Sequence, residues 1–299
     1  MNRLSNDCYS YIVESVPAGI PQDTKLGPWL FLIMINVLNV SGVDDLWKYV
    51  DDSTISESVS DNDPSILQNH VDEFTRKSEA DGFQLKESKC KELRISFSTY
   101  DKIFHPILIN GKNIEVAPSV KLLGLAISDD LKRKTHISRI CKKISSRLYF
   151  LRQLKRAKVP SNDLLLFYVT CIHAVTEYAC QVFHDSLPQY LFDELEKLQK
   201  RAIRIIFPDM HYKEDLETMN ISSLHDRRQS LTDDLFNEIV IINSHHERKS
   251  LLPPLNGTIM PLRNRRKFQI PIYKTNRFKN SLIMSNLFRY LNSYEDIST

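Results

Sequence analysis

Ile137, Ile140, Cys141, Ile144, Leu148, Leu151 and Leu154 recur at three- and four-residue steps. That spacing stacks side chains along one stripe of an α-helix. From Leu131 to Pro160 the same segment carries eleven lysines and arginines and no acid. A stretch so patterned has one good solution: a long helix with its apolar stripe on a core and its cations coating the opposite face. More helices are predicted behind it. Ser161–Phe183 reads as a second, mostly buried helix, and Pro188 opens a third with Leu191, Leu195, Leu198, Ala202 and Ile205 inward. Ile221–Ser244 reads as a fourth, and after Leu252-Pro253-Pro254 the pattern weakens into a basic, weakly structured tail.

The first half is mixed. Trp29–Leu38 is apolar on all sides and reads as a buried helix begun near Gly27-Pro28. Leu46–Val50 and Ser53–Ser56 read as two short strands joined by a tight acidic turn, Asp51-Asp52. Asp63-Pro64 is a helix start, with Asp63 as the cap and Ile66, Leu67, Val71 and Phe74 as the apolar stripe, ending near Asp81-Gly82. Short strands are predicted at Lys91–Ser98, Ile107–Ile109, Asn113–Val116 and Lys121–Ile127, with a hairpin turn at Asn110-Gly111.

Composition narrows the class. No apolar run reaches membrane-spanning length, since Trp29–Val40 is short and contains Asn36 and Asn39. The start, Met1 to Ser10, has no apolar core behind Arg3, so a secretory route is not expected, and an intracellular location, nucleus or cytoplasm, is. Five widely spaced cysteines without a CxxC pattern fit a reducing compartment and buried thiols. The spacing of Cys171, His173, Cys180 and His184 matches no zinc knuckle, and a buried or interfacial stripe is the expectation there. No Gly-rich phosphate loop, HExxH or GxSxG occurs, which leaves nucleotide hydrolysis and acyl transfer unsupported.

The net charge of +3 hides a strong separation. Ser41–Asp81 holds eleven acids against Lys48, Arg76 and Lys77. Leu131–Pro160 and the run from Arg263 to Lys279 are basic and acid-free. Clustered acids can hold a divalent cation, and clustered cations can track a phosphate backbone. An aspartate pair fixed in a hairpin turn has the rigidity that two-metal phosphoryl transfer requires.

Gly19-Ile20-Pro21-Gln22, followed by Trp47-Lys48-Tyr49-Val50-Asp51-Asp52, resembles motifs B and C of reverse transcriptases from non-LTR retrotransposons of the LINE or jockey kind. Gly82–Leu85 with Lys89-Cys90-Lys91 is similar to motif D, and Val120–Gly124 resembles motif E, the primer-grip hairpin. Leu131–His136, Tyr149–Arg152 and Leu154–Ala157 resemble the basic thumb. Glu177–Cys180, Leu198–Ile206 and Leu224–Arg228 resemble the helical segment behind it, so the resemblance runs in order through roughly residues 10–245.

The resemblance implies an α+β fold: a partial polymerase palm of antiparallel strands with helices over 1–128, a helical thumb and extension over 129–248, and a tail over 249–299. It implies RNA-directed DNA polymerase chemistry with Mg²⁺, an RNA template and a DNA primer, and no membrane. Asp51 would be the metal-binding carboxylate with Asp52 beside it, and Lys89 would lie near the leaving pyrophosphate. Gly19, Pro21, Gln22, Asp23 and Tyr49 would form the nucleotide and template pocket. Lys132, Arg139, Lys142, Lys143, Arg147, Arg152, Lys155 and Arg156 would contact nucleic acid.

Three departures set expectations against activity. Motif A, with the opposing metal-binding aspartate, normally lies several dozen residues before motif B, and only eighteen residues precede Gly19. Asp23 stands where the family has glycine, placing a negative side chain where backbone should approach an anionic nucleotide. Val37 and Arg133 replace an expected aspartate and tryptophan. An N-terminally truncated, catalytically incomplete fragment is therefore expected. The alternatives are a non-catalytic nucleic-acid-binding module working through the basic helix, or a structural remnant.

Overall fold

The computed structural model describes residues 25–40, 45–60, 63–97, 103–209, 212, 221–241, 250–254 and 268–295. The chain divides at Pro118/Ser119 into two compact units.

The first unit contains helix α1 (Leu26–Val37), strands β1 (Leu46–Tyr49) and β2 (Asp52–Ile55), helix α2 (Leu67–Ala80), and four two-residue strands. These are β3 (Lys91–Glu92), β4 (Leu108–Ile109), β5 (Lys112–Asn113) and β6 (Glu115–Val116). β1 and β2 form an antiparallel hairpin with Leu46 opposite Ile55 and Tyr49 opposite Asp52. The turn at Asn110-Gly111 joins β4 to β5 with φ of 50° and 72°, the left-handed pair that Asn-Gly adopts readily. β3 pairs with β6 in parallel, so the described strands form separate two-stranded ladders rather than one sheet.

The core of this unit is small. Ile35, Leu38, Val40 and Phe74 are buried, with Phe31, Leu46, Ile55, Phe83 and Leu85 against them. The predicted all-round burial of α1 is overturned: Trp29, Ile33 and Val37 are exposed at 69%, 63% and 72%. A core with so few members covers only the face bearing Ile35 and Phe31. The start of α2 is corrected too. The helix begins at Leu67, not after Pro64, because Glu57 reaches across to accept from Ile66 N (2.8 Å) and Ser65 Oγ (2.6 Å). Its end is as read from the sequence. Gly82, at φ 79°, lets Phe83 N reach Ser78 O and Gly82 N reach Glu79 O, the paired bonds of a Schellman cap.

The second unit opens with the antiparallel hairpin β7 (Ser119–Leu122) and β8 (Leu125–Ser128). Helices α3 (Lys134–Arg156), α4 (Ser161–Phe167), α5 (Ala174–Glu177), α6 (Cys180–Phe183), α7 (Gln189–Ile206), α8 (Leu224–Ile241), α9 (Asn276–Lys279) and α10 (Leu282–Glu295) follow. One continuous core joins the α3 stripe (Ile137, Ile140, Ile144, Leu148, Leu151) to Leu164, Tyr168, Phe183, Leu195, Ala202 and Ile203. The α3 stripe is thus the predicted one.

Three expectations change here. Lys121–Ile127 is a hairpin and not one strand, because Leu123 (φ 45°) and Gly124 (φ 87°) turn the chain back. Ser161–Phe183 is interrupted by a π-helical turn at Tyr168–His173 and by a break at Ala179, whose φ of 54° ends one helical segment and starts the next. In the tail, the described residues 268–295 carry two helices, α9 and α10, where a weakly structured segment was expected. Phe236 of α8, Phe268 and Leu287 of α10 form a second small core. Arg289 clamps Asp185 through Nη1 (2.8 Å) and Nη2 (3.3 Å) and reaches Asp233 at 3.2 Å.

Candidate functional site

The acidic hairpin and the basic helix lie in different units. In the first unit, β1 alternates as a strand should: Leu46 and Lys48 turn inward, Trp47 and Tyr49 outward. An inward lysine requires partners, and it has them at the end of α1. Lys48 Nζ donates to Leu38 O (2.7 Å), Ile35 O (2.9 Å), Asn36 O (3.2 Å) and Asn39 Oδ1 (3.1 Å). The last carbonyls of a helix lack intrahelical donors and carry partial negative charge, so a buried-stem lysine is a good cap. Burial pulls the Lys48 ammonium below its usual range. The sequence signal for this cap is a lone lysine at an inward strand position, Lys48 between Trp47 and Tyr49.

This cap seats the hairpin turn. Val50 is left-handed (φ 55°), and Asp51 and Asp52 follow it, both exposed. Tyr49 is exposed opposite Asp52. Lys89 ends a single 3₁₀ turn, Glu87–Lys89, and is exposed. That turn is tied to the β4–β5 hairpin by Glu87, which accepts from Asn110 Nδ2 at 3.1 Å and Lys112 Nζ at 3.5 Å. Among the described residues no hydrogen bond or ion pair joins Lys89 to either aspartate. Gly19, Pro21, Gln22 and Asp23 lie outside the described residues.

Among the described residues no three His, Cys, Asp or Glu side chains gather as a metal site. A magnesium ion demands six well-placed oxygens. Two exposed carboxylates on adjacent residues, Asp51 in the turn and Asp52 at the start of β2, supply a fraction of that shell and no enclosure, so the described residues do not fit a resident Mg²⁺.

In the second unit α3 holds its position through its buried stripe and through His136, whose Nδ1 accepts from Ala126 N of β8 at 3.2 Å. Burial and the neighbouring cations Arg133, Arg139 and Lys143 push the His136 imidazole down to about 4, so the neutral acceptor form persists at physiological pH. The outward face carries Arg139, Lys142, Lys143 and Arg156, all exposed, with Arg152 half-buried. No carboxylate among the described residues pairs with any of these five. Lys132 differs: it pairs with Asp130 at 3.1 Å, and Asp130, hydrogen-bonded by Ser128, is held down to about 2.

Two of the predicted nucleic-acid contacts are drawn into the fold. Arg147 donates to Cys171 O in the π-helical turn, and Lys155 Nζ caps α7 at Ile206 O (2.9 Å). Their register on α3 places them beside neighbouring helices, which charge counting cannot show. Tyr149 and Phe150 stand exposed between the cations, their rings 5.7 Å apart and edge to face. Of the Cys/His stripe, Cys180 and His184 are buried, and His173 pairs with Glu177 at 3.5 Å. Burial raises the Cys180 thiol to about 11 and lowers His184 to about 4.

Fold and site thus describe an α+β chain with an acidic hairpin in one unit and an uncompensated cationic helix in the other. Residues 133–174 match the family described as the N-terminal region of alkylated DNA repair protein alkB homolog 8, a span limited to α3, α4 and the π-helical turn after them. The chain is similar to the RNA-directed DNA polymerase from mobile element jockey of Drosophila melanogaster, at 23% identity over 245 residues, 77% of this chain and 26% of the relative. That likeness supports a distant relationship to a reverse transcriptase. The chain spans about a quarter of the length of that relative. No solved structure matches. No helix among the described residues is long and apolar enough to cross a membrane.

Proposed function

We propose that the chain is a fragment of a retrotransposon RNA-directed DNA polymerase, with palm elements in the first unit and the thumb and its helical extension in the second. Its surviving activity is to bind nucleic acid through α3, with RNA template and DNA primer as the strands that the family likeness points to. The observation that carries this reading is the outward face of α3: Arg139, Lys142, Lys143, Arg152 and Arg156 without a pairing carboxylate among the described residues. Cations left unneutralised by their own protein exchange counterions for phosphates at a gain, and this term drives non-specific nucleic-acid binding. The β7–β8 hairpin, in the place of motif E, would support the primer end.

Polymerisation by this chain alone is not expected. Among the described residues no third carboxylate gathers with Asp51 and Asp52, where two-metal transfer needs an opposing one, and Asp23 introduces charge in the motif B position. The test has two arms. Purified chain should bind an RNA–DNA hybrid with an affinity that falls steeply with salt, and Lys142→Gln with Lys143→Gln should flatten that dependence. It should fail to extend a primer on an RNA template with Mg²⁺. Extension would overturn the incomplete-enzyme reading, and no binding at low salt would overturn the interface.

A further inference from the structure

We infer that the Tyr149–Phe150 pair on α3 is a stacking platform for unpaired bases, so that this surface takes single-stranded nucleic acid in preference to blunt duplex. The inference rests on the nucleic-acid reading of α3 and adds the strandedness of the partner.

Tyr149 and Phe150 are each 55% exposed. Neither belongs to the buried core cluster that the α3 stripe builds. They follow Lys142 and Lys143 by seven residues, two helical turns or about 10.5 Å. Arg152 and Arg156 come three and seven residues after Tyr149. The aromatic pair is therefore bracketed along the helix by cations on both sides, with no acid between Leu131 and Pro160 to repel a polyanion.

A duplex meets such a helix with phosphates and hydrated sugars, while its base faces are buried in the stack. Two exposed rings gain little there. An unpaired strand offers base faces at the spacing of its phosphates, and base–aromatic stacking is the usual way a protein holds it without reading sequence. The edge-to-face geometry, with ring planes at 73°, covers at most one face of one ring and leaves faces open for a base. A protein partner docking on two aromatic rings would not require this surround of unpaired cations, so charge complementarity selects the nucleic acid.

The full-length chain should be titrated with a fluorescent oligouridine, with an oligothymidine, and with a blunt RNA–DNA hybrid of the same length, over a series of salt concentrations. The wild type should bind the single strands more tightly than the hybrid. Tyr149→Leu combined with Phe150→Leu should weaken single-strand binding about tenfold or more and leave hybrid binding nearly unchanged. Its salt slope should be that of the wild type, since no phosphate contact is removed. Lys142→Gln with Lys143→Gln should instead reduce the slope on single strands by about 1.4. Both pairs are exposed, and an unchanged thermal transition confirms that each variant folds. Hybrid bound as tightly as single strand, or a double leucine variant within twofold of wild type on oligouridine, would overturn the inference while leaving the interface standing. Failure of the wild type to bind any of the three would remove the interface itself and the inference with it.

Discussion

Tyr178 donates its hydroxyl to Leu123 O and lays its ring against Gly124, tying the break between α5 and α6 to the turn of the β7–β8 hairpin. The tie depends on two left-handed positions, Ala179 (φ 54°) beside the tyrosine and Gly124 (φ 87°) beneath it. Glu177, next to Tyr178, is anchored by Arg227 Nε at 2.8 Å, so the tyrosine projects from a fixed base. A β-carbon at residue 124 would stand 3.0 Å from Tyr178 Cε1. Gly124→Ala should therefore cost about 1–2 kcal/mol, combining left-handed strain with that contact. Tyr178→Phe should cost about 0.5–1 kcal/mol, the hydrogen bond alone. Urea unfolding of both variants, read at constant m-value, checks the order.

Val50 places a β-branched residue at φ 55° in the turn that presents Asp51 and Asp52. Replacing it with glycine should relieve about 1 kcal/mol of strain and raise the urea midpoint. A lower midpoint would show that the Val50 side chain contributes more than its backbone costs.

Lys48 joins β1 to the end of α1, its ammonium within hydrogen-bond reach of the Ile35, Asn36 and Leu38 carbonyls and of Asn39 Oδ1. Lys48→Met keeps the stem and removes the charge-assisted donor, and should destabilise the first unit by about 1.5–3 kcal/mol. Amide exchange should accelerate first in Asn36, Val37 and Leu38, where the helix end loses its cap.

His136 and His184 are both held at about 4 by burial. An unfolded histidine titrates near 6.5, so between those values the unfolded chain binds more protons than the folded one. Stability then rises with pH through this window: it is fully present above about 6.5 and declines as pH falls toward 4. The loss is at most about 3 kcal/mol per histidine. His136→Gln can still accept from Ala126 N and cannot titrate, so its melting temperature should fall less than that of the wild type between pH 7 and 4.5.

Asp185, with 7% of its side chain exposed, receives both terminal nitrogens of Arg289. Asp185→Asn leaves that guanidinium without its bidentate partner and should cost about 1–3 kcal/mol. Limited proteolysis should then release α10 earlier than in the wild type.

Local pattern was enough wherever one element decided its own structure. The α3 stripe, the Asn110-Gly111 turn, the Gly82 helix end and the β1–β2 pairing were all legible, because periodicity and left-handed turn residues act over a few positions. The β1–β2 turn itself is Val50-Asp51 and not the expected Asp51-Asp52, since Asp52 already pairs with Tyr49 as the first residue of β2. The same physics misjudged α1. A sequence apolar on every side specifies a helix, but burial depends on how much surface the rest of the unit offers, and here Phe31 and Ile35 find neighbours while Trp29 and Ile33 do not. The start of α2 escaped for a similar reason, since its cap is Glu57, a residue ten positions before the helix.

At the candidate site, sequence alone determined the residue types: two adjacent aspartates at a hairpin, and a run of cations without acids on a helix whose opposite face must be buried. Tertiary structure decided which of those charges are available. It turned Arg147 toward Cys171 O and Lys155 toward Ile206 O, left Arg139, Lys142, Lys143 and Arg156 in solvent, and set Tyr149 and Phe150 outside the core. The reason is geometric. A helix face is fixed by local spacing, but whether a cation on its flank meets water or a carbonyl depends on neighbours that arrive from dozens of residues away.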